Sequence, residues 1–388
     1  MRDQWECHIN TTSPYAGSRY RSSIAILSTY PPTQCGLATF TAALREQLDA
    51  SVVRVVDDPA TCSGPEVVAH LVNGSPASAA AAARTLSAFD VVVVQHEYGI
   101  FGGADGQDVL PLLQAVSAPL VVVLHTVLEV PSPHQRSILL EILVLADAVV
   151  TMTETARQRL IALYDADPAQ VTVIAHGAAD HGRPVADRSA RDRPTILTWG
   201  LLGPGKGIEW ALEALVGLRD LAPRYLVLGK THPKVVDWQG EAYREGLVRR
   251  AAELGVQDLL ELDPSYLSVR ELAAKVADVD VVLLPYDSRD QVTSGVLTEA
   301  VAAGRPVVST AFPHAVELLT GGPGLVVPQR DPAAMALALR RVLSEPGLAE
   351  TLAAKADAVA ASLLWPAVAD RYRRLADDLL AAQLTAVS

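Results

Sequence analysis

Cysteine is scarce in this chain of 388 residues: Cys7, Cys35 and Cys62 are an odd, widely spaced set with no CxxC pair. That pattern argues against a disulfide framework, offers no zinc site and fits a reducing compartment. Lysine is nearly as rare, with five in all: Lys206, Lys230, Lys234, Lys275 and Lys355. The formal charge of −12 argues against nucleic acid or an anionic membrane as the main partner, although net charge says little about one cleft. No apolar run approaches the roughly 18 residues a bilayer span needs. The N-terminus, MRDQWECHINTTSPY, lacks a signal-peptide pattern. A cytoplasmic protein is therefore expected, with peripheral membrane association through a lipid-linked substrate left open. His-Glu-x-x-His and GxSxG strings are absent, as are short-period repeats.

What is present is half hydrophobic and alternates strand with helix, the mark of an α/β chain with parallel sheets covered on both faces. Apolar strands are expected at Ile24–Leu27, Val52–Val56, Val91–Val94, Leu120–Leu124, Ala148–Met152 and Val171–Ile174, with helices at Thr39–Leu48, Ala77–Ala88, Gln135–Ala146 and Glu154–Ala162. A polar, proline-bearing stretch around 180–194 then interrupts the pattern. It restarts with strands at Thr195–Trp199, Tyr225–Leu228, Leu259–Leu262, Val281–Leu284, Pro306–Ser309 and Gly324–Val327. Helices are expected between these at Ile208–Leu218, Ala242–Leu254, Val269–Val276 and Pro332–Leu343. The expected organisation is a leader at 1–20, a first domain at 21–184, a linker at 185–194, a second domain at 195–364 and a terminal helix at 365–388. Two doubly wound domains in tandem place a cleft between the carboxyl ends of their sheets.

Three strings carry chemistry. Leu284 to Thr310 reads as strand, loop, helix, turn and strand, with Ser294 as N-cap and Gly304-Arg305-Pro306 as stop. Free amides at Ser294, Gly295 and Val296, together with the helix dipole, form an anion site, and Glu299 one turn on suits the hydroxyls of a ribose. The string Gly200-Leu201-Leu202-Gly203-Pro204-Gly205-Lys206-Gly207 nearly satisfies a P-loop. Gly207, however, stands where a magnesium-binding Ser or Thr is required, so charge neutralisation by Lys206 is preferred over a metal-dependent NTPase reading. In the first half, Gly36 opens a helix, and His96, Glu97 and Tyr98 follow one strand as His125 follows the next. His125 is also readable as a core histidine, Glu97 as a solvated carboxylate and Cys35 as a packed thiol. Asp278-Val279-Asp280 imitates a DxD metal motif but sits where a helix ends, which favours capping.

The strings STYPPTQCGLATFT, QHEYGIFGG, VTMTETARQRL, VIAHG, GLLGPGKGIEWALEA, LVLGKTHP, LLPY and QVTSGVLTEAVAAGRPVVST occur in order. Together they make the chain resemble glycosyltransferase family 4, the retaining GT-B enzymes, over nearly its whole length and within it the mannosyltransferase-like branch. The resemblance implies a GT-B fold of two tandem Rossmann-like domains, acceptor first and nucleotide-sugar donor second. The terminal helix should cross back to the first domain. It implies transfer of a hexose from a nucleotide diphosphate sugar to an acceptor hydroxyl on a glycan, lipid-linked molecule or small molecule, with no cofactor and no metal. By this resemblance Lys206 binds the diphosphate, Glu299 the ribose, and His125 lies beside the donor sugar. Gly36 and Gly205 approach the phosphates, and His96, Glu97 and Tyr98 face the acceptor. The family's first motif carboxylate is Gln291 here, and its arginine is Leu201, with Lys230 or Arg289 as possible substitutes. The alternatives are an inactive nucleotide-sugar-binding or scaffold subunit and a GT-B phosphorylase or epimerase.

Overall fold

The computed structural model describes residues 22–58, 63–180, 192–288 and 291–387. The leader, Cys7, Cys62, most of the linker and Arg289 lie outside the described residues. In the first domain the strands are β1 (Ile24–Ser28), β2 (Ser51–Val56), β3 (Val67–Val72), β4 (Val91–His96), β5 (Leu120–Leu124), β6 (Ala148–Thr151) and β7 (Val171–Val173). They form one sheet in the order β3-β2-β1-β4-β5-β6-β7, every pair parallel. The connecting helices are α1 (Gly36–Leu48), α2 (Pro76–Leu86), α3 (Val109–Ala115), α4 (Pro133–Leu145) and α5 (Glu154–Tyr164). Runs such as Val91–Val94 and Val121–Val123 are buried along their full length, because helices cover both faces and no face is left for water.

The second domain repeats the plan with β8 (Thr195–Trp199), β9 (Arg224–Leu228), β10 (Leu260–Asp263), β11 (Val281–Leu284), β12 (Val307–Thr310) and β13 (Gly324–Val327). Their order is β10-β9-β8-β11-β12-β13. Around them run α6 (Ile208–Val216), α7 (Pro233–Gln239), α8 (Ala242–Glu253), α9 (Val269–Ala277), α10 (Gly295–Ala302), α11 (Pro313–Leu319), α12 (Pro332–Ser344) and α13 (Leu348–Leu363). The strand order reverses direction between β1 and β4 and again between β8 and β11. Those two switch points, at the carboxyl ends of the strands, are where such sheets hold ligands.

The last helix, α14 (Trp365–Val387), leaves the second domain and packs on the first. Trp365, Val368, Ala369, Tyr372 and Ala376 share one buried cluster with Ile24, Ile26, Phe40 and Val93. Its entry is fixed by backbone bonds between Ala178 and the pair Leu363 and Trp365. The Trp365 ring stands edge-on to Phe40, centroids 4.9 Å apart, and covers Gly177 so closely that a Cβ there would lie 2.2 Å from the indole. Removing a buried indole costs about 3–5 kcal/mol. Trp365→Ala should therefore lower unfolding stability by that amount in urea titration. A loss below about 1 kcal/mol, the range of a surface substitution, would mean that α14 is not anchored by this ring.

Candidate active site between the two domains

At the second switch point, β8 runs into a loop whose backbone conformations require glycine. Gly200 (φ 117°), Gly205 (φ 88°) and Gly207 (φ 64°) in that loop, and Gly229 (φ 134°) just after β9, all lie in the left-handed region. A Cβ on Gly207 would stand 1.9 Å from the Pro285 carbonyl oxygen, and one on Gly229 would stand 2.1 Å from that of Gly200. Gly207 is thus fixed by a backbone contact. That explains why the loop cannot carry the hydroxyl of a P-loop, whatever its resemblance to one. Gly205 has open space around its Cα, and its carbonyl accepts from Asp287 N at 2.9 Å. The Lys206 ammonium lies 4.3 Å from the Tyr286 ring centroid, a cation–π seat that holds the charge at the end of β11 without neutralising it.

Across from this loop stands the first turn of α10. Ser294 caps it, its hydroxyl accepting from Leu297 N at 3.3 Å. The Ser294 amide donates to His314 Nδ1 at 2.9 Å, so this amide, expected to be free, is not open to a ligand. The Gly295 and Val296 amides are the turn's remaining donors. His314 serves as acceptor because it is neutral: burial, with His176 nearby, holds its pKa down at about 3. Gly295 faces His176, whose Nε2 would lie 2.7 Å from a Cβ at that position. His176 Nδ1 bonds the Gly177 carbonyl at 2.7 Å, and burial keeps this ring near 4. The Val296 side chain lies 3.7 Å from where a Gly200 Cβ would be, which joins the glycine loop to the α10 turn. Glu299, part-buried one turn further, has its pKa pushed up to about 7 by desolvation. Gln291 lies part-buried in the loop before α10.

The first domain contributes its own switch point. Cys35 caps α1, its sulfur accepting from Ala38 N at 3.4 Å, so it is a structural thiol. Gly36 has nothing near its Cα and leaves room for a ligand. His125 follows β5 and shares a 2.6 Å hydrogen bond between its Nε2 and Gln95 Oε1. Burial, with His176 and His96 close by, holds its pKa at about 3. Glu97 accepts from Thr126 Oγ1 at 2.5 Å and from Tyr98 N at 3.0 Å, while burial raises its pKa. Two expected acceptor residues turn inward instead. His96 is 1% exposed, packs edge-on to Tyr98 and against Phe101, and finds no partner for either ring nitrogen among the described residues. Tyr98 donates to the Gln135 carbonyl at 3.4 Å. Period-two alternation sends successive strand residues to opposite faces, so His96 goes under the loop while Gln95 meets His125.

Contacts span the cleft directly. Lys230 donates to Gln34 Oε1 at 3.2 Å and Lys234 to the Gly99 carbonyl at 3.4 Å. Lys230 therefore holds a first-domain loop here. Asp278 occupies the C-cap position of α9, and Asp280 accepts from Thr195 N, at the start of β8, at 2.7 Å. Among the described residues no group of three or more His, Cys, Asp or Glu is placed to hold a metal ion. Gln95, Thr126, His176, Tyr286 and His314 are site residues that motif spacing alone did not single out. His176 lies in VIAHG, and His314 follows the proline that starts α11, so the strings were visible but their contacts were not.

The site thus offers two free helix amides, a lysine on an aromatic face, a desolvated carboxylate and a neutral histidine, all at facing switch points. Residues 193–345 match the family model of the group 1 glycosyl transferases. The D-inositol 3-phosphate glycosyltransferase of Frankia alni is 32% identical over 305 residues, 71% of this chain and 73% of that protein. The one from Kineococcus radiotolerans is 30% identical over 67% of each. Among solved structures, sucrose-phosphate synthase of Thermosynechococcus elongatus superposes with a TM-score of 0.74 at 20% identity, over 93% of this chain and all of that one. Anabaena HepE, solved with UDP and glucose, superposes with 0.72 at 16% identity, over 92% and 99%. The chain belongs to the group 1 glycosyltransferases, has the two-domain GT-B architecture of these structures, and is an enzyme that transfers a sugar from a nucleotide sugar.

Proposed function

We propose that the chain is a retaining, metal-independent hexosyltransferase in which the diphosphate of the donor lies between Lys206 and the Gly295–Val296 amides. The observation that carries this reading is the α10 turn: two amides lie beside the glycine loop that carries Lys206, joined to it where Val296 meets Gly200, and a carboxylate sits one turn further. Glu299 would take the ribose hydroxyls, Gly36 and Gly205 would let backbone approach the phosphates, and Gln291 would meet the hexose as a neutral partner. Mannose, from the family branch, is the first sugar to test. UDP-glucose, which accompanies HepE, is the second. The acceptor is a hydroxyl on a glycan, a lipid-linked molecule or a small molecule.

In the proposed step the acceptor oxygen attacks C1 from the face the diphosphate is leaving. The bond from C1 to the phosphate oxygen breaks as the new bond to the acceptor oxygen forms. The acceptor proton passes to the departing phosphate oxygen, so no protein nucleophile is needed. Negative charge grows on that oxygen, and fixed donors close to it lower the barrier most in a site that excludes water. His125, with Nε2–H given to Gln95 Oε1, would present Nδ1 as an acceptor to a hexose hydroxyl. Its low pKa keeps it an acceptor across the working range.

Three tests follow from this geometry. A screen of nucleoside diphosphates and their sugars should raise the melting temperature with concentration for one base, because a ligand bound only to the native state stabilises it. Lys206→Ala should lower kcat/KM about 100-fold, near 3 kcal/mol, the usual effect of losing one electrostatic donor; full activity in that variant rules the lysine out. EDTA should leave turnover unchanged, and loss of activity that Mg²⁺ or Mn²⁺ restores would overturn the metal-independent reading.

Glu299 sets a pH signature for the ligand-free protein. Its folded pKa near 7 lies above the ordinary value of about 4.3, so the folded state holds the extra proton between them. Stability from that proton is complete below about pH 4.3 and is lost as pH rises through about 7. Glu299→Gln cannot titrate. Relative to this variant, wild type should lose stability between pH 5 and 8, by about 3 kcal/mol at most, measured by urea titration at each pH. A constant difference across that range would place Glu299 in water.

A further inference from the structure

A cavity of about 280 Å³ opens in the first domain at the carboxyl end of β3, between α2, α3 and the loop that follows β4. Leu71, Ala79, Phe101 and Pro111 give it apolar walls. Among the described residues that line it, none is lysine, arginine or histidine. Its one charge is Asp108, which stands at the N-cap position of α3 yet makes no capping hydrogen bond. An aspartate there ordinarily binds the second or third amide of the helix. This part-buried carboxylate lines the cavity instead.

The walls are built, because Asn73 ties them together. Its Nδ2 donates to the Ile100 carbonyl at 3.0 Å and to Asp57 Oδ1 at 2.8 Å, and its Oδ1 accepts from Gly102 N at 2.9 Å. Gly102 is held so close that a Cβ there would lie 2.6 Å from Asp108 Oδ2 and 3.0 Å from Gly74 N. The same loop carries Glu97 and touches Lys234 of the donor domain through Gly99. One loop thus lines the cavity at Phe101 and Gly102 and meets the second domain at Gly99, on the side that the proposed reaction assigns to the acceptor.

Resting on that reading, we infer that this cavity receives the non-reacting end of the acceptor, and that this end is an aryl or alkyl group bearing an amine. Apolar walls exclude a bare sugar or a phosphate as the occupant, since each would lose water without new partners. An ammonium, by contrast, would meet a carboxylate that has no cation beside it among the described residues lining the cavity, in a setting where partial desolvation strengthens the pair. Small-molecule sites commonly join an apolar body to one placed polar group in this way.

Binding of three probes by calorimetry tests the assignment: 2-phenylethylamine, 2-phenylethanol and 3-phenylpropionate. The amine should bind most tightly and the carboxylate least. Asp108→Asn should weaken the amine about tenfold, or about 1.4 kcal/mol, while leaving the alcohol within about twofold. Ala80→Phe and Ala115→Phe, each at an exposed position on the cavity rim, should block all three while the nucleoside diphosphate melting shift persists. The inference is overturned if no probe binds at about 10 mM to protein that still responds to nucleotide. It is equally overturned if the carboxylate binds as well as the amine, or if binding survives in both rim variants with circular dichroism unchanged. Loss of the nucleotide shift with probe binding intact would instead sink the donor reading and leave the cavity assignment standing.

Discussion

One hydrogen bond, from the Ser294 amide to His314 Nδ1, fixes which amides of the α10 turn stay open. It uses the first amide of the α10 turn and so sets the remaining donors, Gly295 and Val296, at a fixed angle to the Lys206 loop. The bond needs an imidazole with a lone pair. Burial supplies that state by keeping His314 neutral, and His176 on the other side of Gly295 is held neutral in the same way. The anion site is therefore framed by uncharged groups. Its positive potential comes from the dipole end, two amides and one lysine. Lys206 rests on the Tyr286 ring, and among the described residues no carboxylate pairs with it.

Much of this was legible in the sequence, for reasons that can be named. Central strands such as β4 and β11 are unbroken valine and leucine runs, and a run buried on both faces needs no periodicity to be seen. Gly207 and the Ser294 cap were visible because glycine and capping chemistry leave local marks. What escaped carries too weak a local pattern. β3 is an edge strand, half-exposed and interrupted by His70, so it lacks both the apolar run and clean alternation. Helices α7 and α11 have seven residues each, too short for a helical period to register, although each opens with proline at its first turn. Helix α13 is rich in alanine, which carries little pattern.

The candidate site divides along the same line. Lys206 and Glu299 stand in local strings, and the structure brings their loops to one switch point. Gln95, His176 and His314 matter because of partners 30, 119 and 20 residues away: His125, Gly295 and Ser294. Pairings of that range are set by strand order and helix packing, and no window of sequence contains them. His96 shows the reverse error. A polar residue at a strand end was expected to face the cleft, yet both Gln95 and His96 are buried: strand alternation sends Gln95 to His125 and His96 beneath the loop, against Tyr98 and Phe101.

The two halves are coupled at the donor turn itself. Helix α11 holds His314 and, three residues on, Glu317. That carboxylate accepts from Glu154 N at 2.8 Å, Thr155 N at 2.9 Å and Thr155 Oγ1 at 2.7 Å. These are the first amides of α5, in the other domain, so Glu317 adds to the cap that Thr153 makes on Ala156 N and sits at the helix's favourable dipole end. Beside it Thr153 Oγ1 donates to the Val292 carbonyl at 3.0 Å, in the loop that leads into α10. The first domain therefore holds α11 through Glu317 and the α10 loop through Val292. Both links lie close in the chain to Ser294, whose amide His314 holds, so the turn that carries the Gly295 and Val296 amides is joined to the first domain by two separate sets of hydrogen bonds.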